Sequence, residues 1–167
     1  MILFLDFDGV LHPDAVYLRH GRPTLVYTRQ PGASLFMWSE HLVDILAQHP
    51  QVRIVLSTSW ARHLGFSRAK KRLPAVLRER CIGATWHSAM RGGGGMYGRT
   101  FSTWWDSSTR YQQIARYVER AGLQEWLAVD DDDEGWPESM RHRLVHMDAE
   151  FGLGVPEKQQ ELLERLR

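Results

Sequence analysis

Short apolar runs alternate along this chain with segments of helical periodicity, and this alternation constrains the fold more than any other feature. Apolar runs at residues 1–5, 52–56, 126–129 and 143–147 predict strands. The segments between them space apolar residues three and four positions apart, as in helices that bury one face. Strands alternating with helices predict an α/β, Rossmann-like three-layer fold with a central parallel sheet flanked by helices.

The predicted helices are delimited by helix-breaking residues. The first begins near Trp38 and ends by Pro50, and another covers residues 111–118 with Gly122 well placed as its C-terminal cap. The remaining elements are a basic helical piece around residues 68–72, a helix from Pro74 through Arg80, a short strand near 81–85 and a last helix after Pro156.

The length of 167 residues is typical of one domain. We therefore expect a single domain over residues 1–167, with small insertions at about 12–37 and 61–109. The first insertion carries prolines and glycines around a β-like stretch at 24–28, which favours a loop or a small hairpin. A Gly-rich run at 92–95 lacks the Gly-Lys-Ser/Thr ending of a phosphate-binding loop, which favours a linker.

Composition limits the surroundings and the partners of the protein. No apolar stretch approaches the ~20 residues that a membrane-spanning helix needs, so no membrane association is expected. A single cysteine, Cys81, excludes an internal disulfide and favours a buried thiol in a reducing cytoplasm. The net charge of +1 is too small to indicate nucleic-acid binding by itself. The sequence leaves the oligomeric state open.

Three predicted strands run directly into reactive side chains. These are Asp6 and Asp8 after the first strand, Ser57 and Thr58 after the second, and Asp130 and Asp131 after residues 126–129. Ligands of open α/β sheets bind at the carboxyl ends of the strands, where these side chains would meet. Clustered carboxylates without cysteine or histidine at metal-ligand spacing favour Mg2+, which commonly shares its coordination shell with phosphate.

The spacing Asp-x-Asp before a glycine suits phosphoryl chemistry. Asp6 could attack phosphorus, Asp8 could protonate the leaving oxygen and later activate water, and Gly9 permits the turn. Ser57 or Thr58 could bind the phosphate oxygens, or could instead cap a helix beginning near Trp60. Among the histidines, we expect His12, just beyond this segment, to contact substrate.

Residues 4–11, with the sequence FLDFDGVL, resemble the first motif of the haloacid dehalogenase (HAD) superfamily. The strand ending at Ser57 and Thr58 resembles its second motif, and residues 126–131 resemble its acidic fourth motif. The third motif is a lone Lys or Arg near the start of the helix before the acidic strand. Arg110 is the best-placed match, with Arg99 as the alternative, and the resemblance implies that this residue helps to bind phosphate.

The resemblance implies an enzyme in which Asp6 is the nucleophile and Asp8 the general acid and base. It also implies Mg2+ held by Asp6, by the backbone carbonyl of Asp8 and by an acid of the fourth motif. Asp131 would be the direct ligand and Asp130 would support it. The family more often places a second acid several residues later, and residues 133–134 are alternatives for that position.

The intervals between the motifs are too short for a clear cap domain, which implies a capless or minimally capped phosphohydrolase with an open site. An open site favours bulky phosphorylated substrates, among them nucleotides, nucleic-acid ends and phosphoproteins. The segment around Trp60 also resembles small HAD domains linked with RNA repair, and Tyr17, Arg19, His20 and Arg22 are compatible with contact to a phosphate backbone. The alternatives are a phosphotransferase or phosphoprotein phosphatase with the same site, and a Mg2+-binding, phospho-accepting module without catalysis.

Overall fold

The computed structural model describes residues 1–20, 22–26, 28–90 and 104–167. Within them the strands are β1 (Ile2–Leu5), β2 (Val16–Arg19), β3 (Arg22–Leu25), β4 (Arg53–Leu56), β5 (Cys81–Ala84), β6 (Trp126–Asp130) and β7 (Leu144–His146). The α-helices are α1 (Ser39–Ala47), α2 (Ser59–Leu64), α3 (Phe66–Lys70), α4 (Ala75–Arg80), α5 (Arg110–Ala121) and α6 (Pro156–Arg165). The Gly-rich run at 92–95 and Arg99 lie outside the described residues.

Five of the described strands form one sheet in the order β5–β4–β1–β6–β7. Every pairing in this sheet is parallel, and β1 lies between β4 and β6. The central position of β1 brings the residues that follow β1, β4 and β6 together at the carboxyl edge. The predicted α/β, Rossmann-like fold is confirmed.

The sheet buries both of its faces, because side chains alternate along each strand. Leu3 and Leu5 pack in a large core cluster with Leu42 of α1, Leu77 of α4 and Leu162 of α6. Phe4, between them, packs on the opposite face in a second cluster that includes Ile114 of α5. Apolar residues on both sides explain why the strands appear in the sequence as nearly continuous apolar runs.

The first predicted insertion contains an antiparallel hairpin of β2 and β3, in which Val16 pairs with Leu25 and Arg19 with Arg22. Strand β3 therefore begins two residues before the β-like stretch predicted at 24–28. One reason is that the Thr28 hydroxyl donates a hydrogen bond to Glu150 Oε1 at 2.7 Å, which commits Thr28 to a loop contact.

Local capping sets the ends of α5 as the sequence predicts. The Thr109 hydroxyl accepts a hydrogen bond from the Gln112 backbone N–H, and the Gln112 side chain bonds back to Thr109 N–H, forming a capping box. Gly122 ends the helix with φ of 60°. The helix therefore begins at Arg110, so Arg110 occupies its first turn.

The single cysteine has a structural role. Cys81 is buried, and its thiol donates a hydrogen bond to the Leu77 carbonyl at 3.3 Å. Burial raises the pKa of the thiol to about 12. A thiol of this kind is not a nucleophile at neutral pH, as expected. In the part of the chain that the structure describes, no helix has the length and apolar character needed to cross a membrane.

Candidate active site

A cluster of three carboxylates lies where β1 and β6 end. Leu5 of β1 pairs with Val129 of β6, so Asp6 and Asp130 follow side by side. The Asp6 backbone N–H donates to the Val129 carbonyl at 3.1 Å, which extends this pairing into the site. Asp6, Asp130 and Asp131 each offer an oxygen, and these oxygens lie within 4.8 Å of one another.

The carboxylates of this cluster hold protons more tightly than carboxylates in water. Burial is the largest cause, and it raises the pKa of Asp6 to about 6 and that of Asp131 to about 8. The pKa of Asp130 is also raised, chiefly by burial. Repulsion between neighbouring carboxylates adds to the effect, whereas Arg110 opposes it. A divalent cation would displace these protons, and the all-oxygen donor set fits Mg2+.

Gly9 allows Asp131 to reach the cluster. Gly9 has φ of +65°, and a Cβ at this position would lie 2.3 Å from the Asp131 Cγ atom. The Asp131 backbone carbonyl contacts His146 Nε2 at 2.9 Å, which helps to hold the segment. The glycine is therefore required both by the turn and by the close approach of a carboxylate.

The other acids after β6 lie outside the cluster. Asp133 forms an ion pair with Arg141 at 2.9 Å, and the Glu134 backbone N–H donates to Asp132 Oδ1. Of the described acidic residues, the three-carboxylate cluster contains Asp130 and Asp131 but neither Asp133 nor Glu134. The sequence left open which acids of this run would hold a cation. The structure places Asp130 and Asp131, the first two aspartates of the run, in position to do so.

Arg110 bridges two members of the cluster from the start of α5. Its Nη2 lies 3.3 Å from Asp6 Oδ2 and its Nε lies 3.0 Å from Asp130 Oδ2. Burial lowers the pKa of Arg110, but the neighbouring carboxylates, Asp6 foremost, more than offset this, so the pKa is raised and the guanidinium stays charged. The structure thus places the predicted third-motif residue beside Asp6, whereas Arg99 lies outside the described residues.

Asp8 lies outside the cluster and is held by two side chains. The indole N–H of Trp60 donates to both Asp8 carboxylate oxygens, at 3.0 and 3.1 Å. His12 Nε2 lies 3.0 Å from Asp8 Oδ1, and His12 Nδ1 accepts from the Phe36 backbone N–H at 3.4 Å. Because Nδ1 is an acceptor, Nε2 carries the proton and donates to Asp8. We call Trp60 and His12 the Asp8 clamp.

The expectation that His12 contacts substrate is wrong. Its side chain is completely buried, and its ring packs edge-on against Phe36 and Trp60. Both ring nitrogens are also engaged, Nε2 with Asp8 and Nδ1 with the Phe36 N–H, so His12 reaches a substrate only through the carboxylate that it holds. Its position in the clamp makes it a positioning residue for Asp8.

Ser57 and Thr58 occupy the end of β4 and are both fully buried. The Ser57 backbone N–H donates to the Leu5 carbonyl at 2.8 Å, which holds Ser57 next to β1. Thr58 is the N-cap of α2, since its hydroxyl accepts from the Trp60 backbone N–H at 3.4 Å. A hydrogen bond from Thr58 also lowers the pKa of Asp6. The buried Ser57 hydroxyl lacks a hydrogen-bond partner among the described residues.

Comparison with known families identifies the domain type. A family model described as "HAD domain in Swiss Army Knife RNA repair proteins" matches residues 2–157. The chain belongs to this family. Membership supports a phosphatase-type function of this HAD domain in the context of RNA repair. No curated protein and no solved structure matched the chain.

Sequence reasoning missed the role of Trp60 in this HAD domain. A tryptophan just after a strand is most often a core residue, and Trp60 is indeed buried. Its functional contact depends on the pairing of β1 with β4, because Asp8 and Trp60 are 52 residues apart. The available signal was positional: Trp60 and Asp8 each follow closely after strands that neighbour one another in a parallel sheet.

Proposed function

We propose that this HAD domain is a Mg2+-dependent phosphomonoester hydrolase that acts on nucleotides or nucleic-acid ends through an aspartyl-phosphate. The observation that carries the proposal is the different surroundings of two aspartates two positions apart. Asp6 lies in the carboxylate cluster beside Arg110, whereas Asp8 lies outside the cluster and is held by the Asp8 clamp. Two carboxylates kept in different environments are the usual arrangement for a nucleophile and a general acid.

In the first half-reaction, an Asp6 oxygen forms a bond to phosphorus while the bond from phosphorus to the leaving oxygen breaks. Asp8 gives its proton to the leaving oxygen, so that the product departs as an alcohol. Arg110 and the Ser57 hydroxyl stabilise the charge on the other phosphate oxygens. When bound between Asp6, Asp130 and Asp131, Mg2+ would neutralise part of the negative charge of the phosphate and the carboxylates.

In the second half-reaction, Asp8 takes a proton from water, and the water oxygen attacks phosphorus. The bond from phosphorus to Asp6 breaks, which releases inorganic phosphate and regenerates the carboxylate. Asp8 ends the cycle protonated, as it began. The Asp8 clamp matters in both halves, because proton transfer requires the carboxylate within hydrogen-bond reach of the reacting oxygen.

Phosphate release from oligoribonucleotides phosphorylated at the 5′ or the 3′ end tests the proposal. We expect release in the presence of Mg2+, its loss after chelation with EDTA, and its recovery when Mg2+ is added back. Equal release in EDTA would contradict the metal requirement. Release from phosphopeptides but not from nucleotides or oligonucleotides would favour the phosphoprotein phosphatase alternative.

Trp60→Phe tests the Asp8 clamp. The phenyl ring keeps an aromatic group against Phe7 and Phe36 but removes the N–H that donates to Asp8. We expect kcat/KM for an alkyl phosphate to fall by roughly tenfold, since general acid catalysis as a whole contributes about 10²–10⁴-fold. The loss should be smaller for p-nitrophenyl phosphate, whose leaving group departs without a proton.

Trp136→Phe is the matched control for this variant. Trp136 is buried to the same degree as Trp60, but its indole N–H has no hydrogen-bond partner among the described residues. The control should retain wild-type dependence on the leaving group. If Trp60→Phe lowers kcat/KM equally for the alkyl and the aryl substrate, the indole does not act through proton transfer by Asp8.

A further inference from the structure

A cavity of ≈ 200 Å³ lies beside Asp8, between the hairpin and helix α2. The hairpin contributes Tyr17 and Pro23 to its wall, and α2 contributes Ser59, Trp60 and His63. The cavity is smaller than the ~300–1,000 Å³ of pockets that enclose a drug-sized ligand, so it suits one ring system rather than a whole nucleotide.

The position of the cavity relates it to the leaving group. If Asp8 protonates the leaving oxygen, as the proposed function requires, the leaving group must lie on the Asp8 side of the phosphorus. Attack by Asp6 and departure of the leaving group are roughly in line, which excludes the Asp6 side. The cavity is lined in part by Asp8 itself and is therefore placed to receive the group attached to the leaving oxygen.

We propose that this cavity binds the terminal nucleoside of an RNA end, with its base stacked on Tyr17. The inference rests on the proposed function and specifies its leaving group. Tyr17 is 65% exposed, the largest exposed fraction among the large hydrophobic side chains that the structure describes. An exposed aromatic ring beside a site for phosphate chemistry is the arrangement by which proteins stack unpaired bases.

The other residues that line the cavity are also suited to contact a nucleobase. Pro23 and Trp60 provide apolar surface, whereas Ser59 and His63 provide polar groups that can meet the hydrogen-bonding edge of a ring. Among the described lining residues, Asp8 is the only one with a carboxylate, and none is a lysine or an arginine. A leaving group with a second phosphate would therefore find neither a lysine nor an arginine among the described lining residues, and a small polyol would offer no flat face.

The hairpin tip indicates that the nucleoside belongs to a longer strand. Arg19 and Arg22 are exposed and lie directly opposite each other in the β2–β3 pairing. Like charges opposite each other across a hairpin are destabilising, and a phosphate between them would remove that cost. The same hairpin thus carries an aromatic ring for the terminal base and two cations for the adjoining phosphate backbone, which favours an RNA end over a phosphopeptide.

The test is the ratio of kcat/KM for a phosphorylated oligoribonucleotide to kcat/KM for acetyl phosphate, which lacks a ring. We expect Tyr17→Ala to lower this ratio about tenfold, as the loss of one stacked base implies, and Tyr17→Phe to restore most of it. Phe151→Ala is the matched control, because Phe151 is 48% exposed and does not line the cavity. It should leave the ratio at the wild-type value.

Failure of the inference is separable from failure of the proposed function. A wild-type ratio in Tyr17→Ala, alongside Mg2+-dependent hydrolysis, would overturn the nucleoside site and leave the hydrolase intact. A larger effect of Tyr17→Ala on a phosphotyrosine peptide than on RNA would also overturn it. If the wild-type protein hydrolyses none of these substrates, the affinity for a fluorescently labelled oligoribonucleotide, measured by fluorescence anisotropy, tests the nucleoside site directly. Equal affinity of Tyr17→Ala and wild type would overturn the inference.

Discussion

Asp6→Asn is expected to reduce phosphate release by roughly 10⁴-fold or more, because it replaces the attacking carboxylate by an amide, which is a far poorer nucleophile. The amide has nearly the same shape as the carboxylate, and its oxygen can still accept the 2.8 Å hydrogen bond from the Phe7 backbone N–H. Arg110 keeps its ion pair with Asp130, so a folded protein is expected. The variant therefore separates chemistry from folding.

Phosphate release and acid-quenched trapping of a phosphorylated protein together measure the effect. Wild type should show a phosphoryl group on Asp6 by mass spectrometry, and Asp6→Asn should not. Asp132→Asn is the matched control, since Asp132 belongs to the same acidic run but is exposed and lies outside the carboxylate cluster. Activity of Asp6→Asn within tenfold of wild type would exclude Asp6 as the nucleophile.

Gly9→Ala is expected to weaken Mg2+ binding at least tenfold and to lower activity with it. The added Cβ would lie 2.3 Å from Asp131 Cγ and 2.4 Å from Asp131 Oδ2, so the carboxylate must move out of the cluster. The φ of +65° also disfavours alanine, at a cost of about 1–2 kcal/mol. Two separate effects are therefore combined in one substitution.

Gly122→Ala isolates the conformational part of this effect. Gly122 has φ of +60°, and among the described residues nothing lies within 4 Å of the position that a Cβ would take. Both variants should lose a similar amount of stability from backbone strain, measured by urea unfolding. Calorimetry should show weaker Mg2+ binding for Gly9→Ala alone. Equal Mg2+ affinity in the two variants would mean that Asp131 does not hold the metal.

Much of the fold follows from patterns within a few residues. Alternating apolar runs and helical periodicity predicted β1, β4, β6 and β7 and the parallel sheet, because burial on both faces requires such runs. Gly122 as the cap of α5 was likewise predictable, since capping depends on a left-handed residue at the helix end. The location of Asp6 and Asp8 at a strand end also required no knowledge of distant residues.

The partners of those aspartates could not be derived in the same way. The sequence offered Arg110 and Arg99 as the basic residue that binds phosphate, and it offered several acids as metal ligands. The candidates for each role satisfy the same local pattern. The register of β1 with β6 places Asp130 beside Asp6, and the missing side chain at Gly9 admits Asp131. Asp133 also carries a carboxylate that could bind a cation, but it forms an ion pair with Arg141.

By itself, the sequence determined a strand that ends in Asp6-Phe7-Asp8-Gly9, together with the parallel sheet that surrounds it. Only the tertiary structure decided which different partners the Asp6 and Asp8 carboxylates have. Arg110 meets Asp6 from a helix that starts 104 residues later, and the indole of Trp60 meets Asp8 from 52 residues away. The physical reason is that propensity and burial act over a few residues, whereas the hydrogen bonds that orient a carboxylate depend on which strands pair and in what register.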